Sequence, residues 1–283
     1  MSEPPQVLLA ELPEAQATGR IAEIYDEIRR FSGVPYVSSL QRYLATLPGV
    51  LEWAWSALRP AMASGVIQQT GWQLAADVRL PPAPAVSSAT LQTWGIDNTS
   101  LAAIRAIADN FVRVSPVNLV FGSCLHRLLT EDPPAGKGYV ETWTPIAMLP
   151  PMPGNIDPGI LPPPQRAVLM RFATDVGGVP FVPALYRQLA HWPPVLAWLA
   201  DELAPRLHAP ETDAARASFQ TAARAAAAEI VGRLPLPPQA ARPDAATAQP
   251  VLAAIDRYAQ TSPEMTMFGR LVLDALPSPP LPG

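Results

Sequence analysis

"GVPYVSSLQR" (33–42) and "GVPFVPALYR" (178–187) are one ten-residue phrase written twice in a single chain. Extended without gaps to 33–60 over 178–205, the match keeps 14 of 28 positions, among them Pro35/Pro180, Arg42/Arg187, Pro48/Pro193 and Trp53/Trp198, at an offset of 145. Farther on, "DNFVRVSPVNLVFG" (109–122) matches "DRYAQTSPEMTMFG" (256–269) at an offset of 147. Two matches at nearly one offset, far apart in the chain, indicate an internal duplication. Two long copies are too few for a solenoid, which stacks several short units. The expected arrangement is an intramolecular pseudo-dimer, its halves packed about a pseudo-twofold axis as in an isologous pair.

Each copy reads as helices. Leu40, Tyr43, Leu44 and Leu47 fall at i, i+3, i+4 and i+7, one apolar stripe at helical spacing. Leu51, Trp55 and Leu58 resume it after Pro48-Gly49, and Ile104, Ile107, Ala108 and Phe111 form another. "FQTAARAAAAEIVGRL" is strong helix former throughout. Pro48, Pro116, Pro193 and Pro263 are read as helix starts, where the missing N–H does no harm. No run alternates as a strand would, so the fold class is all-α.

Between the copies, residues 132–165 hold ten prolines, which exclude a helix there and favour extended backbone. Tyr139, Trp143, Ile146, Met148 and Leu149 are more apolar surface than a free linker needs, so the segment is expected to be an ordered strap laid over the helices. The boundaries read as 19–130 for the first helical repeat, 131–165 for the strap, 166–276 for the second repeat and 277–283 for a loose tail.

Of 283 residues 49% are hydrophobic and 16% charged, ample for a core and too apolar for a disordered chain. Net charge is −4, and apart from Lys137 every basic residue is arginine, scattered rather than striped, which argues against nucleic acid. The opening "MSEPPQVLLAEL" has no basic n-region, and no stretch reaches the roughly 18 apolar residues of a membrane span. A cytoplasmic protein with no membrane partner is expected. Cys124 stands alone, without metal-ligand spacing, and reads as a buried helix residue.

In the repeated phrase the glycine ends one helix and the proline imposes an extended turn before the next. The N–H groups opening that next helix offer a carboxylate a place to bind. If the copies face each other, the slot between them is lined by Tyr36, Val37 and Ser39 on one side and by Phe181, Pro183, Ala184 and Leu185 on the other. The competing reading is that these residues are interface packing.

"AEIYDEIRRFSGVPYV", "ATLPGVLEWAWSALRP", the duplication and the proline-rich strap together resemble the group I 2-haloacid dehalogenases over roughly residues 19 to 276. That resemblance implies two helical bundles joined by a long loop and threaded into a deep knot, a possible homodimer, and no cofactor or metal. It implies hydrolysis of either enantiomer of a small 2-halocarboxylic acid, with an aspartate activating the water that attacks C2 directly. Carried over by residue, the family's substrate-binding asparagine falls on Asn118, its tyrosine on Phe121, and two aromatic contacts on Tyr36 and Ser39. A hydroxyl–acid pair would fall near Ser64 and Gln68. The family's small–serine–aspartate–tyrosine–arginine run reads Pro183, Ala184, Leu185, Tyr186, Arg187. The expected base position is therefore Leu185, and no catalytic residue is assigned.

Leucine accepts no proton, and general-base assistance is worth about 10²–10⁴-fold. Asp175 and Asp201 are the acids near enough in sequence to substitute. Two readings follow: a dehalogenase with a relocated base, or a catalytically silent homologue that binds a small carboxylic acid between the repeats. A relation to the carboxymuconolactone decarboxylases, suggested by "GVPFVP", fails for want of a Cys-x-x-Cys pair.

Overall fold

Apolar residues at helical spacing fold as helices throughout the computed structural model, which describes residues 10–133, 135–141, 143–176, 179–235 and 242–278. Five precede the first long element: α1 (Gly19–Ser32), α2 (Ser39–Leu44), α3 (Val50–Ala63), α4 (Val66–Asp77) and α5 (Ser88–Thr93). The long α6 (Asn98–Thr130) is followed by α7 (Pro163–Leu169), α8 (Ala184–Leu189), α9 (Pro193–Glu202), α10 (Pro210–Val231) and a second long helix, α11 (Ala245–Ala275). Asp97 and Asp244 cap the two long helices, their carboxylates accepting from Ser100 N at 2.7 Å and Thr247 N at 2.8 Å.

α6 and α11 pack along one another, and α4 and α10 both lie on α6. Two buried apolar clusters result. The first holds α1–α4, the C-terminal half of α6 from Val117 to Leu129, Phe219 to Val231 of α10, and Ala248 to Ile255 of α11. The second holds Leu101 to Phe111 of α6, Leu169, α8, α9, and Met265 to Val272 of α11. Both long helices thus serve two cores, and α10 completes the first although it lies late in the chain. Cys124 is buried and unpaired in the first cluster.

Four expectations change. Pro116 and Pro263 lie inside α6 and α11 rather than at their starts. Each removes the N–H that would serve the carbonyl four residues earlier, Val112 O and Ala259 O; a neighbouring helix serves Ala259 O, and another serves Arg113 O, the carbonyl next to Val112. Trp72 Nε1 donates to Arg113 O at 2.9 Å, and Gln220 Nε2 to Ala259 O at 2.7 Å. Gly71 makes this approach possible, because a Cβ there would stand 2.8 Å from the Pro116 carbonyl. Secondly, Thr174–Val176 and Val179–Phe181 form a short antiparallel hairpin, β1 and β2, pairing Thr174 with Phe181 and Asp175 with Pro180. Two three-residue strands are too short to show as alternation. Thirdly, α7 begins inside the proline-rich segment, with Pro163 and Pro164 in its first turn, where proline is tolerated. Lastly, Met148 of the strap is half exposed, not packed down.

Other described residues of the strap are tied down, although Val140 and Ile160 stay exposed. Gly136 N donates to Leu234 O at 2.7 Å, Tyr139 Oη to Ile230 O at 3.1 Å, and Leu149 N to Gly33 O at 3.0 Å. Trp143 leans on Trp72 with ring centroids 6.5 Å apart. Residues 1–9, on which the reading of the N-terminus rests, Gly178 of the repeated phrase, and 279–283 of the tail lie outside the described residues. Among the described residues no helix is long and apolar enough to cross a membrane.

Candidate functional site

α1 ends in Gly33, whose left-handed backbone (φ 64°) is one that glycine adopts freely, and the chain bends through Val34 to Tyr36 before the extended Ser38 opens α2. The carboxylate place ahead of α2 is already filled: Glu14 Oε1 accepts from Val37 N at 2.9 Å, and Glu14 also pairs with Arg29. In both copies the phrase's arginine anchors the preceding segment. Leu12 N donates to Arg42 O at 3.0 Å, and Ile156 N to Arg187 O at 3.3 Å. Arg187 Nε returns a 2.9 Å bond to Ile156 O, and Arg42 pairs with Glu11 at 2.6 Å. The repeated arginine is architectural.

Asn118, on α6, faces α2. Its Oδ1 accepts from Gln41 Nε2 at 3.0 Å, and its Nδ2 donates to Ser38 Oγ. Beside it lies a cavity of about 30 Å³, lined also by His126, Arg224, Asp256, Tyr258 and Ser262, which is room for about one water. Ser39 accepts from Arg42 Nη2 at 3.3 Å and hydrogen-bonds Tyr258, whose phenol burial holds above its ordinary value. Phe121 is buried in the same cluster. Tyr36 has its ring 6.5 Å from Phe111, and among the described residues its buried hydroxyl has no partner. Ser64 and Gln68 bond main-chain carbonyls of Ala61, Phe31 and Met62.

The second-copy residues lie elsewhere. Ala184, Leu185 and Tyr186 join the second cluster, and Leu185 has 0% exposure. Leu185 does not line the cavity beside Asn118. Of the expected contacts Asn118 alone lines the cavity; Ser39 reaches its wall through Tyr258, Phe121 lies in the first apolar cluster, and Ala184, Leu185 and Tyr186 lie in the second. Asp201 is exposed and pairs with Arg171 at 2.7 Å, and Asp175 sits exposed on β1. Neither points into the Asn118 cavity's lining.

The acid that sequence reading missed is Glu264. It is 1% exposed on α11, and its Oε1 accepts from Tyr186 Oη at 2.8 Å. Arg216 Nη2 lies 3.9 Å from its other oxygen. Burial pushes its carboxyl up to about 7, opposed by the Tyr186 bond and the Arg216 charge. Tyr186 stacks on Phe172 at 4.1 Å, and its phenol is held well above the usual value by burial and by Glu264. The available signal was a glutamate right after the matched Ser262-Pro263, in an otherwise apolar run. Among the described residues no three His, Cys, Asp or Glu side chains gather as metal ligands would.

With this geometry in hand, the mostly helical architecture is that of the D-2-haloacid dehalogenases. A D-2-haloacid dehalogenase mutant in complex with D-2-CPA superposes with a TM-score of 0.72 at 18% identity, covering 95% of this chain and 96% of the other. A second, in complex with L-LA, gives 0.63 at 22% over 97% of each. Curated relatives agree. A configuration-inverting 2-haloacid dehalogenase of Alcaligenes xylosoxydans xylosoxydans is 26% identical over 238 residues, 80% of this chain and 77% of that protein. The (R)-2-haloacid dehalogenase of Pseudomonas putida is 24% identical over 240 residues, 79% and 76%. No family model matches the chain.

Proposed function

We propose that this protein binds small 2-substituted carboxylic acids and does not hydrolyse them from position 185. The observation that carries the reading is Leu185: it occupies the expected base position and has no exposed surface inside an apolar cluster. Nothing there takes a proton from water, and losing a general base raises the barrier by about 3–5 kcal/mol, or 10²–10⁴ in rate. Asn118 keeps its amide beside a polar-lined cavity. The cavity as it stands holds about one water, so an incoming acid takes the Nδ2 donor from Ser38 only as the cavity widens, with Tyr258, Arg224 and the Asp256 carboxylate on its wall. The ligands of the structural neighbours, 2-chloropropionate and lactate, name the size of acid to try. The reading includes a two-repeat pseudo-dimer, α2, α3 and α6 corresponding to α8, α9 and α11, with the chain knotted through the strap.

The test is calorimetric titration with 2-chloropropionate and lactate beside halide release from racemic 2-bromopropionate by ion chromatography. Binding that Asn118→Ala abolishes, with no halide released, is the expected result; release by the unaltered protein overturns it. Leu185→Asp is expected to lose about 3 kcal/mol or more of stability, because it replaces a core leucine with a buried carboxyl group, and to gain no turnover. Denaturant unfolding and the same halide assay check both halves of that expectation.

A further inference from the structure

A groove of about 310 Å³ opens where α4, α6, α11 and the strap meet. Such a volume is at the lower end for a small-molecule site. Its charged lining is Arg113, Arg270 and Asp109, and its apolar lining includes Trp72, Val112 and Ile146. It shares no lining residue with the Asn118 cavity.

Both arginines are fixed in place by main-chain carbonyls. Arg113 Nη1 donates to Gly33 O at 3.0 Å and Ala147 O at 2.7 Å; Arg270 Nη1 donates to Ala75 O at 2.7 Å and Val78 O at 3.1 Å. Among the described residues, the Nε and Nη2 groups of both make no hydrogen bond. Arg79 adds positive charge close to Arg270. Among the described residues lining the groove Asp109 is the one acid, half-buried, and burial raises its pKa against the pull of Arg105 and Arg113; Asp274, outside the lining, also acts on Arg270. The Trp72 indole is pinned by its bond to Arg113 O, so the apolar wall is as fixed as the cations. Two pre-positioned guanidinium forks beside an aromatic face suit a carboxylate carried on an apolar body.

We infer that this groove is a second ligand site, one that takes a monocarboxylic acid with an aromatic or branched apolar body. The carboxylate meets Arg113 and Arg270, and the apolar body lies against Trp72, Val112 and Ile146. Charge on Asp109 opposes binding, so neutralising that residue strengthens it.

The probe is phenylacetate, with phenylacetamide as its uncharged counterpart, titrated into the full chain by calorimetry at low and high salt. Phenylacetate is expected to bind at one site, roughly tenfold or more tighter than the amide, and more weakly as salt rises. Asp109→Asn is expected to tighten phenylacetate by roughly five- to tenfold, a gain that general damage to the fold does not produce. Arg270→Met is expected to weaken it by at least about tenfold, with thermal unfolding confirming that the variant is folded. Acid and amide binding alike, no phenylacetate binding at all, no change on Asp109→Asn, or loss of binding in Asn118→Ala each overturn the assignment.

Discussion

At position 264 a carboxylate is buried with one strong partner, and that has a measurable sign. Glu264 titrates near 7 in the folded protein against an ordinary 4.5. A raised acid pKa means the folded state prefers the protonated form. Its cost to stability is therefore absent below about pH 4.5, grows as pH rises toward 7, and is constant above, reaching about 3 kcal/mol. Thermal unfolding scans from pH 5 to 8.5 are expected to show Tm falling with rising pH, and Glu264→Gln is expected to flatten that slope and stabilise the protein at pH 8. An unchanged slope in the variant counts against this account. Position 185 shows how far a motif reaches on its own: a leucine where the resemblance implies an acid was plain in the sequence, whereas the placement of Glu264 was not. That placement depends on α8, α10 and α11 meeting, a fact of packing that no local pattern encodes.

The elements were legible where one face is apolar. The stripes through α2, α3 and the first half of α6 are buried as their spacing required, except that Leu47 lies beyond α2 and is only half-buried. Prolines misled, because Pro116 and Pro263 look like helix starts although both lie inside long helices, and for Pro263 a neighbour serves the carbonyl it strands. Gln220 is that neighbour, bonding Ala259 O at 2.7 Å one turn before Pro263. Gln220→Met keeps the length of the side chain and removes the donor, leaving that carbonyl unpaired. It is expected to cost about 1–2 kcal/mol, read as a lowered midpoint in urea with an unchanged slope; an unchanged midpoint shows that water serves the carbonyl equally well. The hairpin β1–β2 escaped notice for a plainer reason, since three residues carry too little periodicity to register.

For the whole molecule, the two clusters do not follow the order of the chain. Phe219, Ala223 and Ala227 of α10, with Ala248 to Ile255 of α11, complete a core otherwise built from α1–α4 and α6, while the first half of α6 lies in the other. A fragment of residues 1–131 keeps α1–α4 and all of α6 but lacks those caps. It is expected to show helical far-UV dichroism without cooperative unfolding, whereas the full chain melts in one transition; a sharp transition in the fragment contradicts the shared-core description. The same swap bears on how the protein is made. A ribosome that has finished α6 must still translate through α10 and into α11 before the first core can close, an interval on the order of ten seconds. Throughout it, Leu51, Leu58 and Val120 have no finished core to enter. The nascent chain is then a natural client for chaperones, and synonymous changes that slow translation between residues 131 and 255 should lower soluble yield with no change in the finished protein.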